Sequence, residues 1–422
     1  MPKCRRPPAE CTTVKCSRDL KRVVSGCDES VVVKECATGL GCAEGACIED
    51  ACQSAELAKG SVGCSFYTLP PAERVNGSDQ CFAAMLANTW DLPVNVTAEL
   101  GSQTIDISRS IYTAEQDGAV TIHKPLQGPI PPGAVAVIFL SQGQGSDPAG
   151  LCPPEVVPAF GDDPNIGFTG MTRAFRLNTN LPVTAYSIYP YGGARTYIPS
   201  ATLLLPTSAW STNYLAVDGW PGALRQQKPF LQIGGTQCPT IPSGVCCCDT
   251  LQQQIPPLSQ WGREYALVPY PSRLEGGAGE GAALAREKVP YRIVGAVDGT
   301  KLTYDPEVPS GAPETLAAGR VVSFMTNRFV TVKSQDEAHP FYASVYMTSM
   351  TYNGNGTIGD PDFVNIVPSD QFLDRYVFSA DYSYPKTSIT LVRKKTANGF
   401  KPVELACAGV LNGWQALDSK GE

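Results

Sequence analysis

Histidine is nearly missing from this sequence: His123 and His339 are the only two in 422 residues. Imidazole is the commonest general base and a frequent zinc ligand, so any nucleophilic triad or mixed Cys/His metal site must use one of these two positions. An excess of cations is missing as well. With 33 basic and 40 acidic side chains the net charge is -7, which offers phosphate backbones no basic footprint and sets nucleic acid aside as a partner. Long apolar runs are also lacking. The longest that matters, Ala134 to Leu140, falls far short of the roughly 18–20 residues of a membrane-spanning helix. Nor does Met1-Pro2-Lys3-Cys4 lead into the apolar stretch of a signal peptide.

Cysteine, by contrast, is plentiful. Sixteen are present, eight of them at Cys4, Cys11, Cys16, Cys27, Cys36, Cys42, Cys47 and Cys52. That density belongs to oxidising compartments, where segments too small for a core are held by crosslinks. The spacings fit zinc motifs poorly, so disulfides are the expectation, in a protein that is secreted or displayed on a cell surface and whose leader is not in this text. Cys64, Cys81, Cys152, Cys238 and Cys407 are expected as distant partners for Cys246, Cys247 and Cys248. Adjacent cysteines rarely bridge each other, because disulfides want α-carbons about 4.4–6.8 Å apart.

After residue 60 the pattern turns to β-strands. Val94, Val96, Ala98 and Leu100 alternate with polar residues, Gly101-Ser102 punctuates, and Ile105 and Ile107 resume, which predicts a hairpin. Ala174 to Asn178 and Val183 to Tyr189 predict a strand pair. Asp298-Gly299 and Asn398-Gly399, each between apolar runs, predict two-residue hairpins. One spacing recurs three times: Pro206-Trp210-Tyr214, Pro257-Trp261-Tyr265 and Pro368-Phe372-Tyr376. Proline suits a first helical turn and residues four apart share a helical face, so each copy predicts a one-turn helix feeding a strand.

These readings give an all-β chain of tandem antiparallel modules, sandwich-like or, alternatively, propeller-like, behind a disulfide-rich N-terminal module. The expected divisions are 1–60, 61–256, 257–367 and 368–422. The last unit has its motif and hairpin but no counterpart of the later strands, which predicts an open β-edge suited to self-association.

Several stretches resemble the IgGFc-binding protein N-terminal domain family in its bacterial secreted and surface branch. They are Gly39-Leu40-Gly41-Cys42 through Cys52, Gly63-Cys64-Ser65-Phe66-Tyr67, Ala174-Phe175-Arg176-Leu177, Pro182 to Tyr186, Leu203 to Thr207, and Asp362 to Pro368. Thr250 stands where the family pattern has histidine. The resemblance implies extracellular binding or adhesion without naming a ligand.

Three groups of residues bear on chemistry. Tyr186, Tyr189, Tyr191 and Tyr197 form a candidate aromatic surface for a protein or glycan ligand. Asp336, Glu337 and His339 suit either a hydrolytic site or a hydrogen-bonded loop. Asp360 and Asp362, after a glycine-rich stretch, offer oxygen ligands to calcium, though the spacing matches no EF-hand. No nucleophile signature accompanies them, so a non-catalytic binding protein is the expectation, with an extracellular hydrolase or an assembly protein as alternatives.

Overall fold

The computed structural model describes residues 13–71, 79–118, 120–145, 148–165, 170–192, 199–215, 239–273, 286–350, 359–378, 387–396 and 399–421, with positions 196, 217, 219–220, 233–236, 352, 380 and 384 between them. The chain is mostly β, with several antiparallel sheets and one α-helix among the described residues.

The N-terminal module is small and poor in core. Strands β1 (Val14–Cys16), β2 (Arg22–Ser25) and β3 (Val32–Glu35) form one sheet, and β4 (Gly41–Ala43) pairs β5 (Ala46–Ile48). Little apolar surface is buried here beyond Leu20, Val23 and Val24, so crosslinks supply what the core lacks: Cys16–Cys42 and Cys36–Cys47. Helix α1 (Ala51–Ala58) is capped by Asp50, whose carboxylate accepts from the Gln53 N–H at 3.0 Å. Cys52–Cys64 ties that helix to the following module.

The next module is built on β6 (Gly63–Thr68), β7 (Phe82–Ala87), β8 (Val96–Leu100), β9 (Gln103–Ile105), β10 (Ile111–Asp117), β11 (Val120–Pro125), β12 (Val135–Ser141), β13 (Phe175–Tyr189) and β14 (Ser200–Leu204). The β8–β9 hairpin forms as expected, with Gly101 at φ +63°. The expected strand pair at 174–189 is instead one 15-residue strand. Its first half pairs β6 and β8, and its second half pairs β7 and β14. The pause seen in the sequence marks this exchange of partners. Between Asn178 and Val183 the register shifts, Pro182 has no N–H to give a ladder, and Thr179 Oγ1 donates to the Leu181 carbonyl at 2.8 Å. By changing partners β13 wraps the sheet around a core that includes Phe66, Phe82, Trp90, Ile138, Phe175 and Tyr189.

Short strands β15 (Ile233–Thr236) and β16 (Leu251–Gln254) lead to a sandwich of two four-stranded sheets. Its strands are β17 (Glu264–Leu267), β18 (Val289–Gly295), β19 (Thr300–Asp305), β20 (Thr315–Leu316), β21 (Val321–Thr326), β22 (Val330–Ser334), β23 (Phe341–Met347) and β24 (Asp362–Asn365). The orders are β17-β22-β19-β20 and β21-β18-β23-β24. Asp298-Gly299 does turn, with Gly299 at φ +72°, but it makes no hairpin. Both edges of β18 are taken by β21 and β23, so the chain after the turn must cross to the opposite sheet.

The three proline motifs share one geometry. After each proline a single 3-10 turn runs Thr207–Ala209, Leu258–Gln260 or Ser369–Gln371 and ends at the aromatic residue. Each tyrosine hydroxyl then folds back to accept a backbone N–H: from Ser211 at 3.2 Å, Gly262 at 3.0 Å and Leu373 at 2.8 Å. The turn is tighter than an α-helix, so the tyrosine lies beyond it rather than on its face. A strand follows directly only after the second copy, among the described residues. At the last hairpin, Thr396 and Gly399 exchange backbone hydrogen bonds of 3.0 Å, while Asn398 lies outside the described residues. Among the described residues there, the strands are β25 (Glu404–Leu405) and β26 (Gly409–Val410), which pair with each other.

Two cysteine expectations are corrected. Cys407 is a free thiol on the exposed turn between β25 and β26, where no other described cysteine meets it. Cys246 and Cys247 bridge each other across a cis peptide bond, with α-carbons 3.2 Å apart, below the range on which the expectation rested. Cys27 and Cys248 are disulfide-bonded, whereas Cys4, Cys11 and Cys238 lie outside the described residues.

Candidate functional site

The outer face of the sheet formed by β7 and β10 to β14 carries a groove of about 580 Å³. Strand parity builds its floor. Along β13, Ala185 and Tyr189 point into the core while Tyr186 and Ile188 point outward, joined by Met85 of β7 and Ala114 of β10. One wall is the 148–165 segment, held against the start of β7 by Cys81–Cys152 and by the burial of Val156. Phe378 and Ala380 of the C-terminal segment complete the lining.

At one end three side chains form a hydrogen-bonded line. His123 Nδ1 lies 2.6 Å from Glu155 Oε1, and His123 Nε2 lies 2.7 Å from Tyr191 Oη. A carboxylate only accepts, so His123 Nδ1 carries a proton and donates it to Glu155. The imidazole is deeply buried, and the Tyr191 ring is fixed edge-on between Phe139 and His123 at 4.9 and 5.6 Å. Glu155 remains 43% exposed at its side chain and reaches the mouth. Burial, with the nearby Tyr376, raises the Tyr186 hydroxyl above its ordinary range and keeps it a neutral phenol.

Of the four tyrosines singled out from sequence, Tyr186 and Tyr191 line this groove. Tyr189 is 2% exposed and belongs to the core, with its hydroxyl accepting from the Gln80 N–H at 3.4 Å. Tyr197 lies outside the described residues. Sequence reasoning missed Glu155 and gave His123 no partner. The two are 32 residues apart, and the one signal that joins them is Cys152, three positions before Glu155.

The other candidates are placed as follows. His339 Nδ1 meets Asp336 Oδ1 at 2.6 Å within one turn, where Asp336 also accepts from the Ala338 N–H. The histidine hydrogen bond, together with these backbone donors, holds the Asp336 carboxyl below its usual range, and Glu337 is exposed beside it. At the sandwich end, burial pushes the Asp362 carboxyl up to about 7, against a hydrogen bond from the Phe363 N–H; Asp360 is raised by burial too, with Arg273 opposing. No cluster of three or more His, Cys, Asp or Glu suited to a metal occurs among the described residues. No described helix is long and apolar enough to cross a membrane.

Residues 223–422 match the model of a protein family described as IgGFc binding protein. The match spans the second and third proline motifs and the whole sandwich, and it reaches the groove only through Phe378 and Ala380. The Cys-rich module and the stretches at 63–67, 174–186 and 203–207 lie outside it. No curated protein and no solved structure matches the chain.

Proposed function

We propose that this chain is a non-catalytic extracellular binding protein, acting in adhesion at a cell surface, and that it holds a protein partner in the groove of Tyr186 and Tyr191. The IgGFc-binding-type domain and the disulfide framework support an extracellular binding role. The observation that carries the site is the groove itself: an apolar floor of strand residues, two fixed aromatics and a few convergent polar groups, the usual make-up of a ligand pocket. The domain's family description does not extend to an Fc ligand here, because most of the groove lies outside the matched residues.

The test is a surface-binding panel of matrix proteins, immunoglobulin and glycans, run with the full chain and with Ala201→Trp. Ala201 is an exposed residue of the lining, so the indole fills the groove without disturbing the core. The expected result is a protein ligand bound by the parent chain and lost in the variant. Binding that survives the filled groove would remove the site.

A second reading, self-association through the C-terminal segment, is supported by the exposure of Tyr376, Ile389, Leu391, Phe400 and Val410. Sedimentation showing one concentration-independent monomer would dismiss it.

A further inference from the structure

The first half of β13 builds a second surface, none of whose residues lines the groove. There the strand runs between β6 and β8, and the register sets Tyr67, Arg176 and Glu99 in one row and Ser65, Asn178 and Thr97 in the next. Both rows face outward, because the alternate residues Phe66, Leu177 and Ala98 point into the core. We infer that this face binds a neutral glycan, stacking sugar rings on Tyr67 and Trp210 and hydrogen-bonding their hydroxyls through Arg176, Glu99 and Asn178.

The side chains of this face are held in place by one another. Trp210, the aromatic residue of the first proline motif, stands beside Tyr67 with ring centroids 5.5 Å apart and planes inclined at 43°. Its indole N–H is spent on the Leu205 carbonyl at 3.1 Å, so what the half-buried ring still offers is apolar surface. Arg176 lies over the half-buried Tyr67 ring, with Cζ 5.6 Å from its centroid, and Arg176 Nε donates to Ser65 Oγ at 3.1 Å. Ser65 Oγ in turn donates to Asn178 Oδ1 at 2.9 Å, which leaves the Asn178 side-chain N–H groups as donors.

A pyranose with equatorial hydroxyls has apolar C–H faces and a rim of groups that both donate and accept. The two rings suit the faces, and the rim meets donors on Arg176 and Asn178 and an acceptor in Glu99. Charge selects a neutral sugar. Arg176 Nη1 lies 3.7 Å from Glu99 Oε2, so the cation and the anion of the row compensate each other, and a sulfated or carboxylated chain meets repulsion as well as attraction. A protein partner fits less well, because the cores of protein interfaces are depleted in charged residues and the centre of this face is a charged pair.

The experiment titrates the full chain by calorimetry with cellohexaose, a neutral chain of equatorial glucose units, and with a heparin hexasaccharide, an anionic one. Saturable binding of cellohexaose is expected, with heparin weaker. Tyr67→Ala is expected to weaken cellohexaose about tenfold, as loss of an aromatic anchor does. Arg176→Met combined with Glu99→Gln keeps the stem on Tyr67 and the face neutral; it is expected to weaken cellohexaose several-fold while the melting temperature stays nearly the same. Ala201→Trp, in the groove, should change cellohexaose binding by less than about twofold. If Tyr67→Ala does not fold, the double variant alone decides. No binding of cellohexaose, or binding that the folded variants leave intact, would overturn the site. Tighter binding of heparin would overturn the neutral assignment, and loss of a protein ligand instead of cellohexaose on Tyr67→Ala would give the face to protein.

Discussion

Gln371 Nε2 donates to the backbone carbonyl of Gln260 at 2.7 Å. The two glutamines hold the same place in successive proline motifs, 111 residues apart, and Gln260 Nε2 in turn reaches the Lys59 carbonyl at 2.7 Å, just beyond helix α1. The motifs are therefore joints stacked on one another, and their aromatics are structural. Pro368 of the third copy lies directly over Gly262 of the second, as Pro206 lies over Gly63.

Those glycines are required for the close approach. A Cβ on Gly262 would sit 2.2 Å from Pro368 Cβ, and one on Gly63 2.3 Å from Pro206 Cβ. Gly262→Ala is expected to cost about 1–3 kcal/mol by overpacking, read as a lower urea midpoint with an unchanged slope. An unchanged midpoint would show that the joint yields freely.

The tyrosine hydroxyls differ in burial, and so should their worth. The Tyr265 hydroxyl is buried, accepts from the Gly262 N–H and donates to the Phe341 carbonyl at 2.5 Å. Tyr265→Phe strands both partners and is expected to cost about 1–3 kcal/mol. Tyr376 makes the same bond to the Leu373 N–H but is 57% exposed, so water replaces it and Tyr376→Phe should cost less than about 0.5 kcal/mol. Equal losses would contradict the burial difference.

Asp362 gives the fold a pH dependence. Its unfolded carboxyl ionises near 3.8 and its folded one at about 7, because burial outweighs the Phe363 N–H. Between those values the native state keeps a proton that the unfolded chain has lost, so this group lowers stability as pH rises from about 4 to about 7. The residue is partly exposed, which places the effect at about 1–2 kcal/mol. Asp362→Asn should gain that much relative to the parent at pH 8 and little at pH 4; parallel pH profiles would rule the assignment out.

Cys81–Cys152 closes a separation of 71 residues and carries the wall that presents Glu155. Removing it with Cys81→Ser/Cys152→Ser is expected to cost about 4 kcal/mol from the unfolded-state entropy alone. It should also lower partner binding below what the remaining folded fraction explains. Loss of stability with undiminished binding per folded molecule would separate the wall from the site.

Much of the fold was legible because it is local. The three motifs repeat one turn chemistry, the β8–β9 hairpin needs only Gly101, and the cysteine density of residues 13–64 follows from a module too small to bury a core. What escaped the sequence depends on which strands compete for an edge. Asp298-Gly299 specifies a turn but not a partner, and β18 already had two. Parity along β13 separates Tyr189 from Tyr186, yet only the register against β7 shows which of them faces out. The His123–Glu155 pair was hidden for a like reason: the disulfide that carries Glu155 into place runs from Cys152, three residues before it, to Cys81, far from His123 in sequence.

The scarcity of histidine makes the central claim directly measurable. With His123 in the groove and His339 on a distant turn, nitrogen NMR of the histidine-labelled chain reports on the site through one pair of ring signals and controls for it through the other. Titration with the protein ligand found by the surface-binding panel is predicted to move the His123 resonances saturably and leave those of His339 in place. Saturable binding that leaves His123 unmoved, or moves His339 alone, would contradict the account.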